Sequence, residues 1–424
     1  MEHVQTPGST TSVRLALVGC GGMGQRHVLG LQALLVSGLS NVNLVAVCDT
    51  DETNARRVAA EVERVTGRAP RIYYSTAAAL ADDGIDAFDV VTDASSHYAV
   101  AMPILAAGRH VLCEKPLGLT VRSCRAMVDQ AAATGAILAT AENYRRDPMN
   151  RLVRAALHAE LLGEVYLMTQ QAIGGNDEII ITPWRHLKDK GAIGLDMGAH
   201  YTDILRYYLG DIDSVFGRGL IAEPIRRRRA APELDLESYR ARFARIPEEM
   251  AATGEDSVIA MYRMVSGVTA TLAYIPSGAG QHYWERRLHG RSGSLDIPND
   301  RSGGFVELRL GAETLRGGEI AAACPGFELD ALTSALFGAG GSPYELPGAQ
   351  VDAALLAIEL HDFAAAILDD GQPEVDGRDG MLAVASVLAA YESDLAGRSV
   401  SMAEILDSSV SAYQDEIDEP LGLR

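Results

Sequence analysis

The sequence predicts an α/β first domain on a parallel, doubly wound sheet (residues 12–142), followed by an α+β domain on a largely antiparallel sheet (residues 143–424). Three observations carry this reading. Short apolar runs rich in β-formers alternate with helical stretches through the first third of the chain; the first run ends directly in a cluster of glycines; and past about Asn150 the apolar runs lengthen. With 424 residues, 47% hydrophobic and 22% charged, the chain can bury a large core and divides more readily into two domains than one.

Taken in order, Val13–Val18 reads as a buried parallel strand and Gln25–Leu35 as the helix after it. Asn43–Cys48 is a second strand, ending at Asp49. The helix Asn54–Thr66, the strand Arg71–Tyr74 and a helix from Thr76 follow. Further strands fall at Ala87–Thr92 and His110–Cys113, with the helix His97–Ala107 between them and Val121–Thr134 after them. In the second domain Glu164–Ile173, Ser214–Ile221, Ser257–Met264, Val268–Tyr274 and Trp284–Leu288 read as longer strands. Val265-Ser266-Gly267 reads as a hairpin turn. The stretch Val351–Ala396 is helical apart from Gly371–Gly380, and these helices are expected to pack back toward the first domain. A basic, then acidic insertion, Arg226–Glu255, interrupts the sheet, and its run Arg226-Arg227-Arg228-Arg229 reads as a solvated face in preference to an anion site.

Charge narrows the partners. A formal net charge of −20 argues against nucleic acid or an anionic membrane surface, both of which call for a basic face. Met1–Thr11 has no basic segment followed by an apolar one, and no run of about 18 apolar residues occurs, so neither a signal peptide nor a membrane span is expected. Five cysteines without a repeated C-x-x-C fit a reduced, cytoplasmic interior.

Gly19-Cys20-Gly21-Gly22-Met23-Gly24 is a G-x-G-x-x-G placed between the first strand and the first helix. There the first glycine permits the tight turn, the second lets the backbone approach a pyrophosphate, and the third packs helix on strand. Asp49, closing the second strand, can accept hydrogen bonds from both ribose hydroxyls of NAD and would repel the 2′-phosphate of NADP. Thr92 and His97 lie beyond the fourth strand, where more of the cofactor is expected to rest.

Glu114-Lys115-Pro116 stands at the carboxyl end of a strand, the edge where open α/β sheets bind ligands. Lys115 is placed to donate a hydrogen bond to a reacting oxygen. Farther on, Asp196 and His200 are four apart near the start of a helix expected over Asp196–Leu209, so they share a face. A histidine can take an alcohol proton near neutral pH, and a carboxylate beside it would orient it; Asp203 is a possible further support. No third ligand at a recognisable spacing turns this pair into a metal site. Asn143, Tyr144 and Arg145, with Trp184, Arg185 and His186, are candidates for substrate contact, tryptophan stacking on a sugar face and arginine binding hydroxyls or an anionic substituent.

The glycine loop, Asp49, Glu114-Lys115-Pro116 and the Asp196–His200 spacing resemble, in order and separation, the glucose-fructose oxidoreductase/inositol dehydrogenase (Gfo/Idh/MocA) family. Leu288–Leu295 and Asp376–Gly380 resemble it more loosely. The resemblance implies a Rossmann domain, an open-faced sheet, homodimers or homotetramers, and catalysis by Lys115, Asp196 and His200. Thr92-Asp93-Ala94 departs from the family's usual Thr-Pro-Asn, and Gly191-Ala192-Ile193-Gly194 thins its glycine cluster. Three functions compete. The favoured one is NAD-dependent oxidation or reduction of a secondary alcohol on a sugar, glycoside or cyclitol. The second is a redox-neutral, NAD-dependent glycosidase, with an anionic sugar such as a sulfonated one among its candidate substrates; the third is a non-catalytic NAD-binding regulator.

Overall fold

The computed structural model describes residues 12–229, 243–338, 340–341 and 343–424. Six parallel strands build the first domain: β1 (Val13–Val18), β2 (Val42–Cys48), β3 (Arg71–Tyr73), β4 (Ala87–Val90), β5 (His110–Glu114) and β6 (Leu138–Ala141). They lie in the order β3-β2-β1-β4-β5-β6. Residues such as Leu15, Leu17, Phe88 and Leu112 are buried, as strands covered on both faces require. The order reverses between β1 and β4, and at that switch point the carboxyl ends of neighbouring strands part to leave a crevice. The helices are α1 (Gly22–Val36), α2 (Glu52–Thr66), α3 (Thr76–Leu80), α4 (His97–Ala106) and α5 (Val121–Thr134). Asp51 caps α2 by accepting from Thr53 N and Asn54 N, and Gly67, at φ 72°, ends it.

After α6 (Pro148–His158) the chain builds a nine-stranded sheet. Its strands are β7 (Val165–Ile173), β8 (Ile212–Leu220), β11 (Ser257–Met264), β12 (Thr269–Ile275), β13 (Tyr283–Gly290), β14 (Ser294–Asp296), β15 (Glu307–Leu310), β16 (Glu313–Arg316) and β17 (Val400–Ser401). The numbers β9 and β10 belong to a separate ribbon, Ile225–Arg227 paired antiparallel with Glu249–Ala251. The large sheet is mixed: β7 runs parallel to β12, and its other pairings are antiparallel. Strict alternation along β11 sends Val258, Ala260, Tyr262 and Met264 inward and leaves Ile259, Met261 and Arg263 exposed. The inner face is covered by α7 (Ala192–Leu209) and by the helix Gly377–Ala396.

The other long helix, Gly348–Leu368, packs along α1, so the chain's last third furnishes an outer layer of the first domain. The approach is close: a Cβ on Gly30 would stand 2.6 Å from Leu356 Cβ. Arg26 pairs with Asp352 at 3.2 Å, and Asn41 donates to the carbonyl of His361 at 2.9 Å.

The four-arginine run is not one solvated face. Arg227 and Arg229 are exposed and pair with Asp177, but Arg226 is fully buried. It pairs with Asp256 at 2.5 Å and donates to the carbonyl of Asn176 at 3.1 Å. Alternation along a β-ribbon points one residue of the run inward, and a buried guanidinium demands the carboxylate it finds there. The middle of the insertion, residues 230–242, lies outside the described residues.

Glu359, on the helix Gly348–Leu368, is 1% exposed, and among the described residues neither carboxyl oxygen meets a donor. Burial pushes its pKa up to about 8 against the opposing pull of Arg146, with Glu114 adding to the rise. The folded chain therefore keeps a proton that the unfolded chain releases near pH 4.3. Stability should fall as pH rises from there to about 8 and then level off. Glu359→Gln is expected to flatten this slope and to be the more stable form at pH 8. Urea midpoints of both proteins at pH 5.5 and 8 measure it, and parallel slopes would refute it.

Candidate active site

The glycine loop is shaped by its neighbours. Gly19 has φ +103°, and a Cβ there would lie 2.7 Å from the carbonyl oxygen of Val91; one on Gly24 would lie 2.2 Å from the carbonyl oxygen of Gly19. Asp49 is tied to the loop. Its Oδ2 accepts from Cys20 N at 2.7 Å and its Oδ1 from Asp51 N at 2.8 Å. These residues open onto a cleft of about 790 Å³ lined by Gly19, Gly21, Gly22, Met23, Asp49 and Thr92, with Trp184 and Arg185 on its far wall. Helix α1 begins with no side-chain cap and no acidic residue in its first turn, so its amides are left for an anion. An extended cleft, free amides at one helix N-terminus and a strand-end carboxylate together fit a dinucleotide.

Two of the expected cofactor contacts are turned away from this cleft. His97 is buried, with Nδ1 2.9 Å from the carbonyl of Pro116 and Nε2 3.3 Å from that of Thr92, so it ties the two loops together. Glu114 is buried too. It receives Lys115 N at 3.0 Å and lies 3.2 Å from His27 Nε2, while His27 Nδ1 is 2.7 Å from Asp89. A side chain at the end of a buried strand, such as Glu114, points into the layers beside it, and His97 at the start of α4 joins two loop carbonyls, so both serve the frame under the cleft.

Where Arg185 lines the cleft, the end of β5 meets α7. Lys115, at the end of β5, donates from Nζ to Asp196 Oδ1 at 2.8 Å and to the Asp196 carbonyl at 3.1 Å. The Lys115–Pro116 peptide bond is cis. Asp196 sits in α7, which begins a turn earlier than the sequence indicates, and its Oδ2 accepts from Arg185 Nε at 2.8 Å. Burial alone would raise the pKa of Asp196; the Lys115 and Arg185 cations overcome that and hold it well below the carboxylate range.

Asp196 is therefore the partner of Lys115, and the partner of His200 is Glu142. His200 Nδ1 lies 2.7 Å and 2.8 Å from the two Glu142 oxygens. Glu142 follows directly on β6 and also accepts from Tyr144 N at 2.9 Å. The His200 ring stacks on Tyr144 with centroids 3.9 Å apart. With Nδ1 bound to a carboxylate, Nε2 is the nitrogen left to face a substrate. Four-residue spacing does bring Asp196 and His200 to one helix face, but longer-range partners take both side chains. Glu142 carried one overlooked signal: like Lys115, it stands where a parallel strand ends.

Asp203 does not support His200. It binds Arg145, accepting from Nε at 2.8 Å, and Arg145 also reaches Asp379, so Arg145 belongs to a buried ion cluster and not to the substrate wall. His186 is likewise structural: it is buried, its Nε2 accepts from Ile180 N at 2.9 Å, and burial followed by Arg226 pushes its pKa down to about 4. Arg185 and Trp184 line the cleft, Trp184 partly buried under the Arg185 guanidinium, 4.6 Å away, whereas Tyr144 is buried against the His200 ring. Asn143 keeps a buried side-chain oxygen without a partner. No motif marks Tyr274 and Trp284, which the large sheet brings to Tyr201 at 5.4 Å and 6.3 Å.

A dinucleotide crevice with a lysine and a histidine at its mouth, each held by a carboxylate, defines an NAD-dependent oxidoreductase. Residues 13–142 match the family model for the oxidoreductase family NAD-binding Rossmann fold, and residues 150–296 match that of the GFO/IDH/MocA C-terminal domain. The chain belongs to the Gfo/Idh/MocA family, and NAD is its cofactor. It is 26% identical to a D-apiose dehydrogenase of Paraburkholderia graminis, over 93% of this chain and 92% of that one. It is 27% identical to an inositol 2-dehydrogenase of Rhizobium meliloti, over 92% and 100%. Among solved structures, a levoglucosan dehydrogenase in complex with NADH and levoglucosan aligns with TM-score 0.72 and 20% identity, covering 92% of this chain and 99% of that one. An oxidoreductase from Agrobacterium radiobacter in complex with NAD+, L-tartaric acid and magnesium aligns with TM-score 0.71 and 21% identity, covering 93% and 100%.

Proposed function

We propose that the protein oxidises a secondary alcohol on an uncharged sugar or cyclitol, reversibly, with Lys115, Asp196 and His200 assisting the proton transfer. The observation that supports this best is the division of labour at the cleft mouth: Lys115 is held by Asp196, and His200 by Glu142. In this reading His200 Nε2 takes the hydroxyl proton while Glu142 steadies the imidazolium. Lys115 spends hydrogen bonds on Asp196 and directs a remaining N–H at the reacting oxygen, where charge develops. Bound NAD supplies the hydride acceptor. Trp284, Tyr274 and Trp184 offer flat apolar surface to the C–H face of a ring. The Arg145 and Arg185 guanidinium groups are engaged by Asp203 and Asp196, so an anionic substituent would have to displace a carboxylate. That favours an uncharged substrate over a sulfonated one.

The deciding experiment offers the purified protein and NAD a panel of cyclitols, sugars and aryl glycosides while following NADH absorbance and aglycone release together. Lasting NADH with a free polyol is expected. Aglycone release without net NADH would replace this reading with the redox-neutral glycosidase. We also place the protein in the reducing cytoplasm, in keeping with five buried, unpaired cysteines. We read it as a homodimer or homotetramer joined through the outer sheet face, where Phe216 lies in register with Met261, beside Ile259, and all three are exposed. Light scattering of the wild type should give two or four chains, and Phe216→Arg with Met261→Arg should give one. A monomeric wild type would refute it.

A further inference from the structure

Arg185 stands where the cofactor cleft and the catalytic lysine meet. It lines the cleft, yet its Nε is 2.8 Å from the one Asp196 oxygen that Lys115 does not take. It is no mobile surface arginine. It sits in the short turn Pro183–His186, whose next residue, His186, is buried and receives Thr253 N at 2.9 Å and Gly254 N at 3.2 Å on its carbonyl. The side chain itself is largely covered and lies over Trp184. Asp196 is thus a buried carboxylate shared between two cations, one of which is the proposed donor to the substrate.

Sharing has a consequence for the donor. A carboxylate that faced Lys115 alone would concentrate its whole charge on that ammonium and compete with the substrate oxygen for its protons. With the second oxygen bound by a guanidinium, the pull on Lys115 is divided. We propose that Arg185 is a positioning residue that sets the reactivity of Lys115 through Asp196, and so links the wall of the cofactor cleft to the reacting oxygen. This rests on the role given above to Lys115, but its test does not need the substrate.

The chain has three lysines, Lys115, Lys188 and Lys190, so amine labelling can be read residue by residue. Wild type, Arg185→Gln and Arg185→Lys, each saturated with NAD, are treated with a trace of acetic anhydride near pH 8. Mass spectrometry then gives the rate at Lys115 relative to Lys188. Arg185→Gln is expected to slow labelling of Lys115 several-fold, because the undivided carboxylate binds Lys115 Nζ more tightly and withholds it from the reagent. Arg185→Lys, which keeps the charge but not the planar fork, should fall between the two. Circular dichroism and a thermal melt confirm that each variant is folded. A Lys115 rate in Arg185→Gln equal to or faster than wild type would overturn the proposal, as would an Arg185→Lys rate no higher than that of Arg185→Gln. Absence of polyol oxidation by the wild type would instead count against the proposed function and leave the labelling result standing.

Discussion

Replacing His200 with alanine is expected to lower kcat by about 10²–10⁴-fold while leaving NAD affinity within about threefold of wild type. The ring is stacked on Tyr144 with Glu142 on Nδ1, which leaves Nε2 as the nitrogen free to take a proton. A base must be neutral to accept a proton, so the wild-type rate should fall on the acidic side, and that limb should vanish in His200→Ala. Glu142→Gln tests the partner. Removing the carboxylate withdraws the group that orients the ring through Nδ1, so kcat should fall while NAD affinity is kept. If His200→Ala turns over normally with the same limb, the histidine is only a packing residue. If Glu142→Gln leaves the rate unchanged, Glu142 is a bystander.

Lys115→Ala should lower kcat by about 10²–10³-fold in single-turnover measurements, because it removes the donor at the oxygen whose charge changes most. NAD titration should be nearly unaffected, since the glycine loop and Asp49 lie apart from the Lys115–Asp196 pair. The change also leaves Asp196, buried at the start of α7, facing Arg185 alone. Loss of stability is therefore expected beside the loss of rate, and a thermal melt separates the two. A single-turnover rate within about threefold of wild type would remove Lys115 from the chemistry.

Much of the fold was legible in the sequence because its signals are local. The β1 run, its glycines and the helix after them are contiguous, and Gly19 and Gly24 each answer a close approach of neighbouring backbone. The Val265-Ser266-Gly267 turn was likewise readable, since Gly267 adopts φ 90° and β11 and β12 pair on either side of it. The parallel β7–β12 pair within the large sheet was not, because β7 and β12 are far apart in the chain and no local pattern fixes which strand lies beside which.

By itself the sequence determined that a parallel sheet carries a dinucleotide loop, that Asp49 closes its second strand, that Lys115 stands where a strand ends, and that Asp196 and His200 share one face of a helix. What only the tertiary structure decided was who partners whom. Spacing along α7 put Asp196 and His200 on one face, but the ends of β5 and β6 delivered Lys115 to the first and Glu142 to the second. Arg145 went to Asp203, and Arg226 to Asp256, for the same reason. A buried charge takes whichever opposite charge the packing of layers brings within hydrogen-bond distance, and that choice is made by segments tens to hundreds of residues apart.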